Sequence, residues 1–311
     1  MVGVSGVAMF AAVMFAGLLF VGGQDAGEQD RVTVLPDVEV TRAPVTIEAA
    51  RTYVEEVATR PFGALTLGRW ETPLCPEVQN LTGEKPSLIE DRIRLRARQV
   101  GATVADGDCR ANVVIVMTAD GARTAANFVE AAPRAFKPSN GPTQRDGDAL
   151  DEFMRSDAPV RWWHISGLYS THRRTFITPA SSAAPLVLNT TGSVYFNQDL
   201  RQAFHSVFIV VDVTRTGRLG LSGLSDYLAM VVLAEVDPHI ALPRYPSILN
   251  VWSEPTTVDS AMTSWDLGYL KGLYSADVRV TGSGTPVESG FQQSEIARGI
   301  VASLEDDAST R

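Results

Sequence analysis

The sequence predicts an α+β domain in which helices pack on a mixed central sheet. Three features carry that expectation. Asn112–Met117 and Phe208–Val213 are unbroken apolar runs, the pattern of strands covered on both faces. Between them and around them, apolar residues recur at helical spacing. The segment Leu224–Val236 is apolar almost all round, so it belongs in the middle of a domain. The composition is that of a globular protein, with 45% hydrophobic and 20% charged residues in 311, enough to bury one large core.

The chain begins with an uncharged stretch from Met1 to Gly23 containing the apolar run Val7–Val21. Val21 and Gly23 stand at −3 and −1 of a signal-peptidase site before Gln24, which predicts export. The alternative is an uncleaved N-terminal anchor, in which case the chain is a membrane-tethered structural subunit. Both place the folded part outside the cytoplasm, in the periplasm or secreted. Residues 24–44, with Val32, Val34, Val38 and Val40, read as a tether or edge strand.

Residues 45–280 then read as a single α+β domain. Thr46 caps a helix to Ala58, with Ile47, Ala50, Val54 and Val57 on one stripe. Ala64–Trp70 is a strand candidate. The helix Ser87–Val100 buries Ile89, Ile93, Ala97 and Val100 and stops at Gly101. Its Arg92, Arg94, Arg96 and Arg98, interspersed with Glu90 and Asp91, read as a solvated face. A helix Ala122–Ala131 follows the first buried strand, then a loop Pro133–Gly147. In the strand Val160–Tyr169, one of the neighbours Trp162 and Trp163 is expected in the core and the other at a surface or cleft. A second loop spans Thr178–Thr191. Ser222 is the expected cap of the apolar helix, which Asp237-Pro238 ends. The last helix is capped at Thr263 or Ser264 and runs through Trp265, Leu267, Leu270 and Leu273 to Tyr274. Residues 281–311 read as a mobile tail holding at most a short helix, Glu295–Leu304.

Two cysteines in an exported chain favour one bridge, Cys75–Cys109, over two free thiols. A net charge of −9 and a pI near 5.0 exclude nucleic acid as a partner and disfavour anionic membranes. A membrane role remains only if Met1–Gly23 is uncleaved. The sequence holds no Gly-x-Ser-x-Gly, no phosphate-binding Gly-rich loop, no Cys-x-x-Cys and no His-Glu-x-x-His. His164, His172, His205 and His239 are too scattered for a metal motif, so no metal and no cofactor is expected. Asp237, His239 and Ser247 lie close in sequence and define the alternative of an unrecognised hydrolase.

The order of strand, buried helix, Pro246-Ser247-Ile248-Leu249-Asn250 turn and helix with Asp266, Leu270, Leu273 and Tyr274 resembles the C-terminal half of metzincin-type zinc peptidases. The resemblance covers residues 206–275. It implies that Tyr227, Val231 and Asp237 stand at the three zinc-ligand positions, Leu228 at the general-base position and Ala234 at the glycine position. Aliphatic side chains can neither hold zinc nor accept a proton, so the resemblance implies a pseudoenzyme. The whole chain is also similar to exported proteobacterial proteins. The function expected on this reading is a non-catalytic binding or scaffold protein with a protein or peptide partner. Its groove would lie along the buried helix, near Tyr227, Asp237, His239 and Trp252.

Overall fold

Alternation along one long strand divides the molecule into two packed faces. In the computed structural model, which describes residues 45–58, 66–136, 147–177, 200–217, 219–253, 261–276 and 287–309, that strand is β5, Leu200–Asp212. Val207, Ile209 and Val211 point into the main core, whereas Phe208 and Val210 point into a second, smaller one. The signal, anchor and tether readings of residues 1–44 lie outside the described residues, as does the Thr178–Thr191 loop.

The sheet is mixed, in the order β1-β2-β5-β3-β4. β1 (Pro76–Gln79), β2 (Val113–Thr118) and β5 run parallel; β3 (Val160–Ser170) is antiparallel to β5, and β4 (Thr175–Phe176) is antiparallel to β3. The fold is α+β. β2 lies inside the sheet between β1 and β5, in keeping with its continuous apolar run. The free edge of β1 is blunted from the neighbouring helix α2 (Lys85–Gln99). Its Glu90 accepts from Val78 N at 2.9 Å, and its Arg94 donates to Pro76 O at 3.3 Å.

Helices α1 (Ile47–Val57), α2, α6 (Leu221–Leu233), α7 (Ser264–Ser275) and α8 (Val287–Ser309) build the main core on one face. Helices α3 (Gly121–Ala131), α4 (Pro133–Phe136) and α5 (Gly147–Arg155) cover the other, around Ala125, Phe136, Phe153, Trp163 and Val210. Trp162 and Trp163 therefore face opposite sides of the sheet, yet both are buried. The surface or cleft expected for one of them is occupied by the α3–α5 layer, whose α4 and α5 fall at the two ends of the predicted Pro133–Gly147 loop.

Other elements differ from expectation in instructive ways. Thr66–Trp70 makes only an isolated parallel bridge, Arg69 to Ala203, with Phe204 N donating to Arg69 O at 2.9 Å. Helix α6 starts at Leu221 with Gly220 as its cap, so Ser222 lies inside the helix, where its hydroxyl accepts from Arg92. The predicted Cys75–Cys109 bridge is formed, tying the start of β1 to the approach to β2. Closing a loop of 34 residues stabilises the fold by roughly 3–4 kcal/mol on the chain-entropy model.

The tail reading is corrected at residues 287–309. Helix α8 runs through them and buries Ile296, Ala297 and Ile300 completely against α7 and α1, so the packed domain extends past residue 280. Glycines make this docking possible. A Cβ on Gly272 would lie 2.5 Å from Ile296 Cα, one on Gly268 2.6 Å from Ile300 Cα, and one on Gly299 2.7 Å from Gly272 Cα. The two backbones thus touch directly, a contact that an apolar-periodicity reading does not register.

Candidate binding site around helix α6

Every residue from Gly223 to Leu233 is buried, as the absence of a polar face predicts. The one charge among them, Asp226, is 1% exposed and needs a partner. Arg96 of α2 supplies a two-pronged one, donating from Nε at 2.8 Å and Nη2 at 2.7 Å; Arg92 approaches at 3.8 Å and Met262 N donates at 3.0 Å. Burial pushes the Asp226 carboxyl up, but the Arg96 bonds, the Met262 N–H and the two guanidinium charges together hold it below the usual range. The solvated-face reading of the α2 arginines is therefore corrected at Arg92 and Arg96, while Arg98 is exposed. Arg96 and Arg92 dock α2 onto α6, while Arg94 pairs with Glu90 and Asp91 on its own helix.

Below α6 lies the turn that the sequence singled out. Ser247 caps the 3₁₀ turn Ile248–Asn250, and the fully buried Asp266 of α7 gathers it up. Asp266 accepts from Ser247 Oγ at 2.6 Å, Tyr53 Oη at 2.9 Å, Ile248 N at 2.9 Å, and Thr263 N and Oγ1 at 2.9 and 2.8 Å. Its bond with Thr263 is also the N-terminal capping box of α7. Burial pushes the Asp266 carboxyl above its ordinary range, and the donors pull it part of the way back. The end of α6 is capped from two sides, by Trp70 Nε1 on Val232 O at 2.8 Å and Tyr274 Oη on Leu233 O at 2.9 Å. Arg69 in turn caps α7, donating to the carbonyls of Leu273, Tyr274 and Ala276.

The four zinc-site positions inferred from the resemblance fall as follows. Leu228 and Val231 are 0% exposed in the main core, and Tyr227 is 7% exposed. Asp237 is half-buried beyond the end of α6, where it accepts from His239 N at 2.8 Å. The helix ends at Leu233, with Ala234 already extended. Among the described residues, no group of three His, Cys, Asp or Glu side chains is placed to hold a metal ion.

The candidate groove residues come together as two separate pairs. Tyr227 meets Trp252 edge-on with centroids 4.4 Å apart, and Trp162 approaches it edge-on at 6.3 Å. Asp237 and His239 form the second pair, and His239 Nε2 continues to Glu152 of α5 at 2.6 Å. Burial alone pushes the Tyr227 phenol well up, and its hydroxyl has no hydrogen-bond partner among the described residues. Ser247 does not join His239. It is completely buried and hydrogen-bonded to Asp266, while His239 is exposed at its contact with Glu152, so the geometry does not assemble the hydrolase triplet.

One cluster was not anticipated. β2 leads to α3 on one face and the adjacent parallel β5 leads to α6 on the other, which makes their carboxyl ends a topological switch point. Asp212 sits there, 4% exposed, accepting from Thr214 Oγ1 at 2.6 Å, Thr214 N at 3.1 Å and Gly121 N at 3.2 Å. Burial raises its carboxyl, but these bonds and Arg215 bring it below the ordinary range. The crevice is closed. Arg161 fills it so tightly that a Cβ on Gly121 would fall 1.8 Å from Nη1, and the guanidinium donates to Ser156 O. The only sequence signal for this cluster is a lone Asp ending an apolar run. Comparison of the chain with protein-family models, with curated proteins and with solved structures finds no match.

Proposed function

We propose that this chain is an exported, non-catalytic binding or scaffold protein, periplasmic or secreted, on a frame similar to a metzincin zinc peptidase that has lost its chemistry. The observation that carries the reading is the pair Leu228 and Val231, aliphatic and completely buried where the resemblance requires a base and a ligand. Neither has a lone pair to offer a metal or a proton. The frame residues of the same resemblance still bind one another: Asp266 holds Ser247 and Ile248, and Tyr274 holds the end of α6. Retained scaffold with replaced ligands is the pattern of a fold kept for something other than hydrolysis.

The Cys75–Cys109 disulfide is compatible with an extracytoplasmic compartment, and no helix among the described residues is long and apolar enough to cross a membrane. The partner on this reading is a protein or peptide. It is received beside α6 at Tyr227 and Trp252, with Asp237 and His239 as the second contact pair. The test is retention of a random peptide pool on the immobilised mature chain. Trp252→Ala should reduce retention about 10-fold, the loss expected when an aromatic anchor is removed. Equal retention by the variant contradicts the site.

A further inference from the structure

Charge is unevenly distributed along the chain. Residues 158–211 hold four arginines, Arg161, Arg173, Arg174 and Arg201, against one acid, Asp199, a net charge of +3 inside a chain of −9. Two of the four are engaged within the fold, Arg161 with Ser156 O and Arg201 with Glu71 at 3.3 Å. Arg173 and Arg174 stand with His172 at the tip of the β3–β4 hairpin. All three are exposed, and neither arginine forms an ion pair among the described residues. Exposed arginines elsewhere do pair: Arg123 with Asp120, Arg155 with Asp151 and Arg298 with Glu295. The tip is also held in shape. Ser170 Oγ accepts from Arg173 N at 3.1 Å, Arg174 turns the chain at φ +53°, and Ile177 N donates to Leu168 O at 2.8 Å. Tyr169 packs edge-on against Phe176 at 5.2 Å, and His205 stacks on the same ring at 5.1 Å. The hairpin reaches beyond the parallel strands, since β2 pairs only with Val207–Asp212 of β5, whereas β3 follows β5 back to Leu200.

We propose that this tip is a docking point for a short acidic segment of a partner protein, whose carboxylates are received by Arg173 and Arg174. The tip lies at the other end of β3 from Trp162, the residue that approaches Tyr227, so the inference does not require a peptide to be received beside α6. A guanidinium presents paired N–H groups at the spacing of a carboxylate, and both exposed cations here are arginine rather than lysine. A tip whose backbone is already fixed loses little freedom on binding. The rest of the chain carries −12, which repels an extended anionic surface such as a lipid bilayer or a nucleic-acid duplex. A short segment that meets the tip alone escapes that repulsion, because exposed charges are screened beyond about 8 Å at physiological salt.

The experiment is fluorescence anisotropy of a labelled hexaglutamate peptide titrated with the purified chain at about 20 mM and about 150 mM salt. Labelled hexaglutamine, vesicles containing phosphatidylserine and a single-stranded oligodeoxynucleotide are run beside it. Hexaglutamate should saturate at low salt with a dissociation constant of about 0.1 mM, weaken about 10-fold at the higher salt and be the tightest of the four. Arg173→Gln with Arg174→Gln should weaken it at least about 10-fold and leave the melting temperature unmoved, since neither side chain pairs within the fold. Arg123→Gln with Arg155→Gln makes the same change in net charge elsewhere and should leave the affinity within about 2-fold. Equal weakening by the two double variants, hexaglutamate binding that is absent or indifferent to salt, or hexaglutamine bound as tightly overturns the proposal. Tip-dependent binding of vesicles or oligonucleotide that is tighter than that of hexaglutamate overturns the acidic-segment assignment. None of these results bears on peptide retention at Trp252, so the two readings fail separately.

Discussion

Asp266→Ala is expected to remove about 3–5 kcal/mol of folding stability, because Ile248 N is left buried, and Thr263 N half-buried, without an acceptor. That is a large part of the stability of any single domain, and it should appear as a collapse of the urea midpoint or as loss of soluble protein. Asp266→Asn should be far milder. Its carbonyl oxygen can serve the two N–H groups and Thr263 Oγ1, while its amide donates to the Ser247 and Tyr53 hydroxyls, which can turn to accept. The two variants also differ in pH response. Burial raises the folded carboxyl above its unfolded value, so the folded state favours the protonated form. The contribution is fully present below the unfolded value and is lost as pH rises through the folded one. Asn does not titrate. The deficit of Asp266→Asn relative to the parent should therefore be largest near pH 4 and shrink toward pH 7, measured by urea unfolding across that range.

The second large effect is expected at Asp226. Asp226→Ala leaves Arg96, 12% exposed at its side chain, without its carboxylate, and strands Met262 N. Breaking a buried pair from one side costs about 3–5 kcal/mol. Removing both partners, Asp226→Leu with Arg96→Met, should recover most of that loss, which separates a stranded charge from simple misfolding. The pH dependence runs opposite to that of Asp266. Asp226 is held below its unfolded range, so its contribution exists above the unfolded value and fades as pH falls through the folded one. The gap between parent and Asp226→Ala should accordingly narrow on acidification.

These two carboxylates mark the limit of what the sequence discloses. The largely apolar character of α6 was legible, because burial on nearly every side leaves a signature in a single window. So were the caps at Thr46 and Thr263 and the disulfide, each set by local chemistry or by simple pairing. Arg96 was read as a solvent residue because its partner lies 130 positions away on another helix, and periodicity carries no information about such a contact. Helix α8 was read as a tail for a similar reason: its docking depends on Gly268, Gly272 and Gly299 touching backbone, and glycine ordinarily signals a turn. Trp163 was half-anticipated. The second core that covers it comes from Phe136 and Phe153, on short helices bordering a segment whose composition reads as loop. At the candidate site, the sequence pointed to both Tyr227 of the buried helix and Trp252, which meet. That Ser247 belongs to Asp266, and His239 to Glu152, required three dimensions.

The proposed reading is that this frame serves binding rather than metal chemistry. Its most direct test is the zinc content of the mature chain, purified without chelator, equilibrated with a small excess of zinc and passed through a desalting column. Val231 and Leu228 in the core predict far less than one zinc per chain and a melting temperature unmoved by chelator. One tightly held zinc per chain, lost to chelator with a fall in melting temperature, would contradict it.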